Sequence, residues 1–390
     1  MGTLALILLP FLAWPWVASY IWKTKVTYQE VFLHMVAVTL LSMIIWFAGG
    51  WAATQDIEKW NGVVQSKDRH HGQYTESYEC NCTSSTDSKG NTTTSCQTCY
   101  REHYTVTWSA DTTVGDITFQ HLDRTSRSVY NTPNPPLYTQ CEKGQPATIS
   151  HRYKNWVQAV PESLFSSNEA LAKMFEGKIP QPPEVYNFYR YNRIVDPSNI
   201  VPKDKEIMMD TILDTALITL GATHQVNIIV VVTDILDPNF KVAVENAWLG
   251  GEKNEVIVFI GMKDGAVKWT DTMTWALNAK NADLIVKMNR SLKEVTPGDD
   301  MWYEIADKIL FNVNKYFVRP EMKDYDYLED AIQPANWLII TLLIVQVLVS
   351  GFLTWLFMNY EVDIFGGGFR RNSSRFVGGG SRWVTGRRRK

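Results

Sequence analysis

The chain has 390 residues, room for one large domain or two ordinary ones, and its formal net charge of −3 carries no basic surplus of the kind that holds nucleic acid, which is therefore not an expected partner. Hydrophobic residues make up 45% of it but are unevenly spread: residues 31–55 and 335–360 contain no Asp, Glu, Lys or Arg. Two uncharged runs of that length exclude a wholly soluble protein, because about 20 apolar residues cross the roughly 30 Å of a bilayer's hydrocarbon.

In chain order, residues 1–22 predict a first membrane helix, bent by Pro10 and Pro15. A cleaved signal peptide would want a basic start and small residues at its end, whereas no Lys or Arg precedes Lys23 and the run closes on Tyr20, Ile21 and Trp22. A short loop, 23–30, carries Lys23 and Lys25, and a second span covers 31–53. Residues 54–79 are polar and mixed. The stretch Tyr78–Tyr100, YECNCTSSTDSKGNTTTSCQTCY, holds four of the five cysteines, Cys80, Cys82, Cys96 and Cys99, around a turn-rich centre. In HYTVTWSA, Tyr104, Val106 and Trp108 alternate with polar residues, and DITFQHL (Asp116–Leu122) is a second β-like run. Residues 78–122 therefore predict a hairpin or small sheet within a cysteine-containing β module, 54–150. A proline- and aromatic-rich connector, 151–202, looks extended across another surface.

From residue 203 the texture changes. Apolar positions 208, 209, 212, 213, 216, 217 and 220 mark one face of a helix, with Gly221 as its expected stop. VNIIVVV (226–232) and NEVIVFIGM (254–262) are buried strands, separated by a helix from Pro238 to Gly250. Ala266–Trp269 pairs back across the turn KDG, and helices near 278–293 and 299–317 complete an α-β-α-β-β-α-α unit over 203–320, an α/β sandwich. The third span, 335–360, gains about −4 to −8 kcal/mol on insertion from its Leu, Ile, Val and Phe residues. Trp337, Trp355 and Tyr360 serve it as interfacial anchors. The tail, 361–390, carries Arg370, Arg371, Arg375, Arg382, Arg387, Arg388, Arg389 and Lys390 against Glu361 and Asp363.

The positive-inside tendency puts loop and tail in the cytoplasm, and three spans then put the large acidic domain on the other side. The expected fold class is a membrane protein with three transmembrane helices and an α/β ectodomain preceded by a cysteine-clamped β module. That placement bears on the cysteines. C-x-C and C-x-x-C pairs suit a tetrahedral zinc, but outside the cytoplasm disulfides persist, and bridges from one pair to the other across the hairpin are the favoured reading. Cys141 is left over. His70, His71, His103 and His121 fit no ligand spacing and read as surface residues. Asp234, Asp237, Asp264 and Asp271 follow the buried strands, where ligands of α/β sheets collect, and could hold Ca²⁺ or Mg²⁺; turn chemistry at Asp237-Pro238 and Lys263-Asp264-Gly265 is the plainer reading. Sequons stand at Asn81, Asn91, Asn289 and Asn372.

The amphipathic helix before VNIIVVVTDIL, followed by VENAWLGGEKNEVIVFIG, resembles the TPM domain family, as does the tail FGGGFRRNSSRFVGGGSRW after a C-terminal span. The resemblance covers about 120 residues and implies an α/β domain and, for the thylakoid phosphatase-type members, divalent-metal phosphatase chemistry. The stretch Ala266–Asn281 departs from the family's G-x-G-x-E-like pattern, so that chemistry lacks its motif here. The hairpin together with Ala159–Phe165 is similar to uncharacterised membrane proteins of large bacteriophages and proteobacteria. No nucleophile-elbow, P-loop or metalloprotease motif occurs. The expected function is a non-catalytic interaction or assembly domain displayed in the envelope, with a protein partner for the ectodomain and anionic lipid for the basic tail. A metal-dependent phosphatase and an auxiliary channel subunit are the alternatives.

Overall fold

The structure, a computed structural model, describes residues 2–23, 26–86, 92–159, 173–275, 279–331, 336–363 and 368–371. The chain divides into two compact units, one holding the apolar helices and the other formed by Asp56–Gln158 and Glu162–Asp326.

Helix α1 (Gly2–Trp22) and helix α2 (Tyr28–Ala53) are both long and apolar enough to span a membrane. Thr27 caps α2 reciprocally with Glu30: the Thr27 hydroxyl accepts from the Glu30 amide and the Glu30 carboxylate from the Thr27 amide. The loop's one acidic residue is thus a helix cap. The third span, helix α7 (Asn336–Asn359), packs against both through Leu338, Leu342, Gln346, Ser350, Leu353 and Phe357. Pro15 has no N–H to give the carbonyl four residues earlier, and that carbonyl, on Phe11, accepts from His34 Nε2 of α2 at 3.0 Å. Because a carbonyl only accepts, Nε2 carries the proton. Gln346 donates to Ser42 and to the Val38 carbonyl, and Trp14 donates to Thr354 at 2.9 Å. A hairpin of β9 (Tyr360–Asp363) and β10 (Gly368–Arg371) follows α7.

The other unit contains two four-stranded sheets. The first has the order β3-β2-β1-β4, from β1 (Gln55–Thr86), β2 (Thr92–Thr112), β3 (Gly115–Arg124) and β4 (Pro146–Lys154). Val106, Trp108 and Ala110 of β2, alternate residues, bury one face with Ile117, Phe119, Val129, Tyr138, Tyr189 and the free thiol of Cys141. The second sheet has the order β5-β6-β7-β8: β5 (Ile194–Val195), β6 (Asn227–Thr233) and β7 (Glu255–Lys263) run parallel, and β8 (Ala266–Thr274) returns antiparallel.

Helices cover both faces of the second sheet. Helix α3 (Lys203–His224) starts with Asp204 and Glu206 in its first turn, where carboxylates favour the dipole. With α5 (Ala282–Lys293) and α6 (Met301–Tyr316) it packs Met209, Leu213, Leu217, Leu284, Met288, Ile305 and Ile309 on Ile228, Val230, Val232, Val258 and Ile260. The alternate residues, Ile229, Val231, Ile257 and Phe259, meet α4 (Asn239–Ala247) and Phe175, Tyr191 and Trp248. This is the α-β-α-β-β-α-α order that the hydrophobic pattern predicts. One detail differs: α3 runs past Gly221 and ends at Gln225, whose φ is +51°. Gly221 is needed for contact instead, since a Cβ there would sit 2.2 Å from the Asn61 carbonyl oxygen of β1.

Candidate functional site

Two features of the larger unit present chemistry to solvent. The first is an arm made from β1 and β2. Their ladder runs from Val64↔Thr112 to Thr86↔Thr92, but β3 pairs only with Tyr104–Thr112. Beyond Tyr104 the sheet narrows to a two-stranded ribbon of about 13 residues a side, roughly 40 Å long. No residue of 73–86 or 92–103 is buried. Such a ribbon is marginal on its own, and two disulfides close it, Cys80–Cys99 and Cys82–Cys96. One extra residue on β1 between Cys80 and Thr83 forms a bulge, with Asn81 at φ +48°.

The disulfides correct the zinc expectation for this hairpin. Zinc takes thiolates, and all four sulfurs are bonded to each other in pairs. The proximity of Glu79 to Cys82 and Cys96 offers no ligand set for the same reason. The aspartates expected to hold Ca²⁺ or Mg²⁺ lie apart from one another. Among the described residues these four do not converge, and no cluster of three carboxylates with ligand atoms within reach of one ion is formed. Asp234 accepts from the Ser198 hydroxyl and Asp237 from the Asn239 amide at the start of α4. Asp264, at φ +53°, and Gly265 make the two-residue turn between β7 and β8. Asp271 accepts from the Thr272 amide and from Asn289. The Asn289 side chain, a sequon position, is thereby committed inside the fold. Of the basic tail residues, Arg370 and Arg371 fall in β10, and Arg375, Arg382, Arg387, Arg388, Arg389 and Lys390 lie outside the described residues.

A clamp sits where the ribbon leaves the sheet. His103 of β2 places Nδ1 at 2.7 Å from Asp123 of β3 and Nε2 at 2.9 Å from Glu76 of β1. Tyr74 stacks on its ring and donates to the other Asp123 oxygen at 2.6 Å. The hydrogen bond to Asp123, with help from Glu76, raises the His103 pKa, whereas those from Tyr74 and His103 lower that of Asp123. A raised histidine value means the clamp is complete at low pH and is lost as pH climbs through that value; on the acid side it is lost as pH falls through the lowered Asp123 value. Amide exchange at residues 74–78 and 99–103, corrected for its intrinsic pH dependence, is therefore expected to quicken as pH rises from the ordinary histidine range through the raised His103 value, and His103→Gln should remove that pH dependence. An unchanged corrected rate across that window in the parent protein would show that no such clamp exists.

The second feature is a cleft of about 630 Å³ between the polar face of α3, the run Tyr186–Ile194 and Gln145–Thr148. Beneath it lies Arg193, fully buried. Its Nε donates to Asp214 at 2.6 Å, Nη1 to Asn227 at 2.6 Å, and Nη2 to Asn61 at 2.8 Å and Thr148 at 3.1 Å. Its amide donates to Asp210 at 2.7 Å. One side chain thus joins β1, β4, α3 and β6. Burial pushes Asp210 up to about 6 and raises Asp214 as well, although Arg193 opposes both shifts. Beyond Asn227 the polar layer continues through Glu255 to Glu252, which accepts from Lys59; burial and then Glu255 push Glu252 up to about 8.

The cysteine-closed hairpin was expected from the sequence, but the length of its ribbon, the His103 clamp and the cleft were not. Arg193 stands in YRYNRIVDP like any surface arginine, and its partners lie up to 132 residues away. The i, i+4, i+8 spacing of Glu206, Asp210 and Asp214 was the one readable signal, a polar stripe on α3. Comparison with known proteins finds no matching family model, no matching curated protein and no matching solved structure.

Proposed function

We infer that this multi-pass membrane protein displays its larger unit outside the cytoplasm as an interaction and assembly module, and that the disulfide-closed arm meets the partner. The observation that carries this is the arm: two covalent cross-links hold an element that buries no core and reaches beyond its sheet. Elements that reach into solvent at such cost in chain order are suited to contact. Two independent features support the sidedness. Disulfides persist in oxidising compartments, and Lys23, Lys25 and the arginine-rich tail suit the cytoplasmic face. The tail would there meet anionic lipid at about 1 kcal/mol per basic residue. The element order of residues 203–316 is in keeping with a TPM-type domain in the second half of the module.

The arm can be removed without touching the cores. Glu76 and Arg101 face each other across the ribbon, so joining them through an Asn-Gly turn deletes the distal part and keeps His103. Solubilised from native membranes, the full chain should migrate in a complex larger than its own 44.6 kDa, and the shortened chain alone. A full chain that runs alone, or a shortened chain that keeps the complex, would overturn the assignment. A membrane-impermeant thiol reagent applied to intact cells after mild reduction should label Cys80, Cys82, Cys96 or Cys99.

A further inference from the structure

We propose that the cleft between α3 and the Tyr186–Ile194 run is a binding site for a neutral saccharide, separate from the arm. Charge comes first. The three carboxylates on its α3 wall, Glu206, Asp210 and Asp214, are balanced by Lys203, Arg190 and the buried Arg193. Lys203 pairs with Glu206 at 2.7 Å, and Arg193 with Asp214 at 2.6 Å. A site whose formal charges cancel internally has no surplus field to draw an ion; it selects by hydrogen bonds.

Those hydrogen-bonding groups are dense and held in place. Asp210 and Asp214, one helical turn apart, each commit Oδ1 to Arg193, and among the described residues their Oδ2 atoms accept no protein hydrogen bond. They offer two acceptors side by side, the arrangement that takes vicinal hydroxyls. Asn192 uses its carbonyl oxygen to receive the Tyr186 hydroxyl at 3.0 Å, which leaves its amide hydrogens as donors. Arg190 lies over the Tyr189 ring and adds a guanidinium fork. The lining is therefore an interleaved set of donors and acceptors with few apolar side chains, Ile194 and Ile207 among them.

A sugar also presents a C–H face, and the cleft has one exposed aromatic ring to receive it. Tyr186 is 41% exposed, whereas Tyr189 and Tyr191 are buried below. Its ring is fixed by the bond to Asn192 and by reciprocal backbone hydrogen bonds with Arg190. Between them Asn187 and Phe188 both hold positive φ, +48° and +74°. A bulky residue there is uncommon, so the turn is set by its surroundings. A volume of about 630 Å³ suits two or three sugar units rather than one.

The test uses the full chain in a detergent without a sugar headgroup, titrated with chitotriose, maltotriose and cellotriose by calorimetry, with the dipeptide alanyl-alanine and inorganic phosphate as charged competitors. One of the trisaccharides is expected to bind. Tyr186→Ala and Asp210→Asn should each weaken it at least about 10-fold without lowering the melting temperature. The arm-deleted chain should bind as the parent does. Binding that survives both substitutions would place the sugar elsewhere. Binding of the dipeptide or phosphate in preference to every trisaccharide, or no trisaccharide binding at all, overturns the proposal. Both leave the arm's role to its own experiment.

Discussion

Arg193→Ala is expected to lower the melting temperature of the protein by roughly 10 °C, the largest effect of any single substitution outside the apolar cores. The side chain is 1% exposed and donates four hydrogen bonds to four partners on four other elements. Removing it strips Asp214 of its counter-charge and leaves the oxygens of Asn61 and Asn227 facing a void. Breaking a buried pair by deleting one partner costs about 3–5 kcal/mol, and for a unit of this size each kcal/mol moves the midpoint by about 2–4 °C. Arg193→Lys keeps the charge but cannot reproduce the planar fork, so it should recover only part of the loss. Thermal unfolding followed by circular dichroism decides the matter: a midpoint for Arg193→Ala within 2 °C of the parent, on the scale of about 10 °C expected above, would mean that the hub is not structural.

Reduction of the two disulfides should do the opposite, with a large local effect and a small global one. The bridges span 19 and 14 residues, and loops of that length correspond to about 3 kcal/mol each on the chain-entropy account, or roughly 100-fold in the opening equilibrium. Beyond the His103 clamp the ribbon has only its ladder and solvent-exposed cross-strand contacts to hold it, because no residue there is buried. Amide protection at 74–86 and 92–103 should therefore fall by two or more orders of magnitude on reduction, or in the variant with all four cysteines changed to serine. Protection at Ile228–Val232 and Val256–Ile260, at the centre of the second sheet, should stay as it was. If those central amides lose protection in parallel, the arm is part of the global folding unit and not an appendage.

Legibility from sequence followed burial. The spans, the strands at 227–233 and 255–263 and the helices around them show period and composition because one face or both are apolar. The bridging of the cysteine pairs was legible because the distribution of arginines and lysines leads to the expectation that the hairpin lies outside the cytoplasm. β1 was not: residues 54–79 looked like mixed polar chain, yet they belong to a 32-residue strand. A ribbon wet on both faces has no period-2 signal to read. Gly221 misled in the other direction, since a glycine near a helix end signals a stop, while here it answers to the backbone of Asn61, 160 positions away in sequence. The cleft was illegible for a related reason. Its walls come from residues 145–148, 186–194 and 203–215, and only folding brings them together.

The bond from His34 to the Phe11 carbonyl has a consequence for how the first helix should be regarded. A hydrophobic anchor is ordinarily exchangeable, since any sequence of the right length dissolves equally well in lipid. Here Pro15 opens a backbone acceptor in α1 and the His34 side chain of α2 donates to it, so the two helices recognise each other by a fitted pair of polar groups. Exchanging α1 for a polyleucine span would restore the missing amide, close the acceptor and strand His34 in hydrocarbon. The N-terminal helix is thus a fitted part of the membrane unit, and fusions or tags that swap it for a generic anchor would be building a different protein.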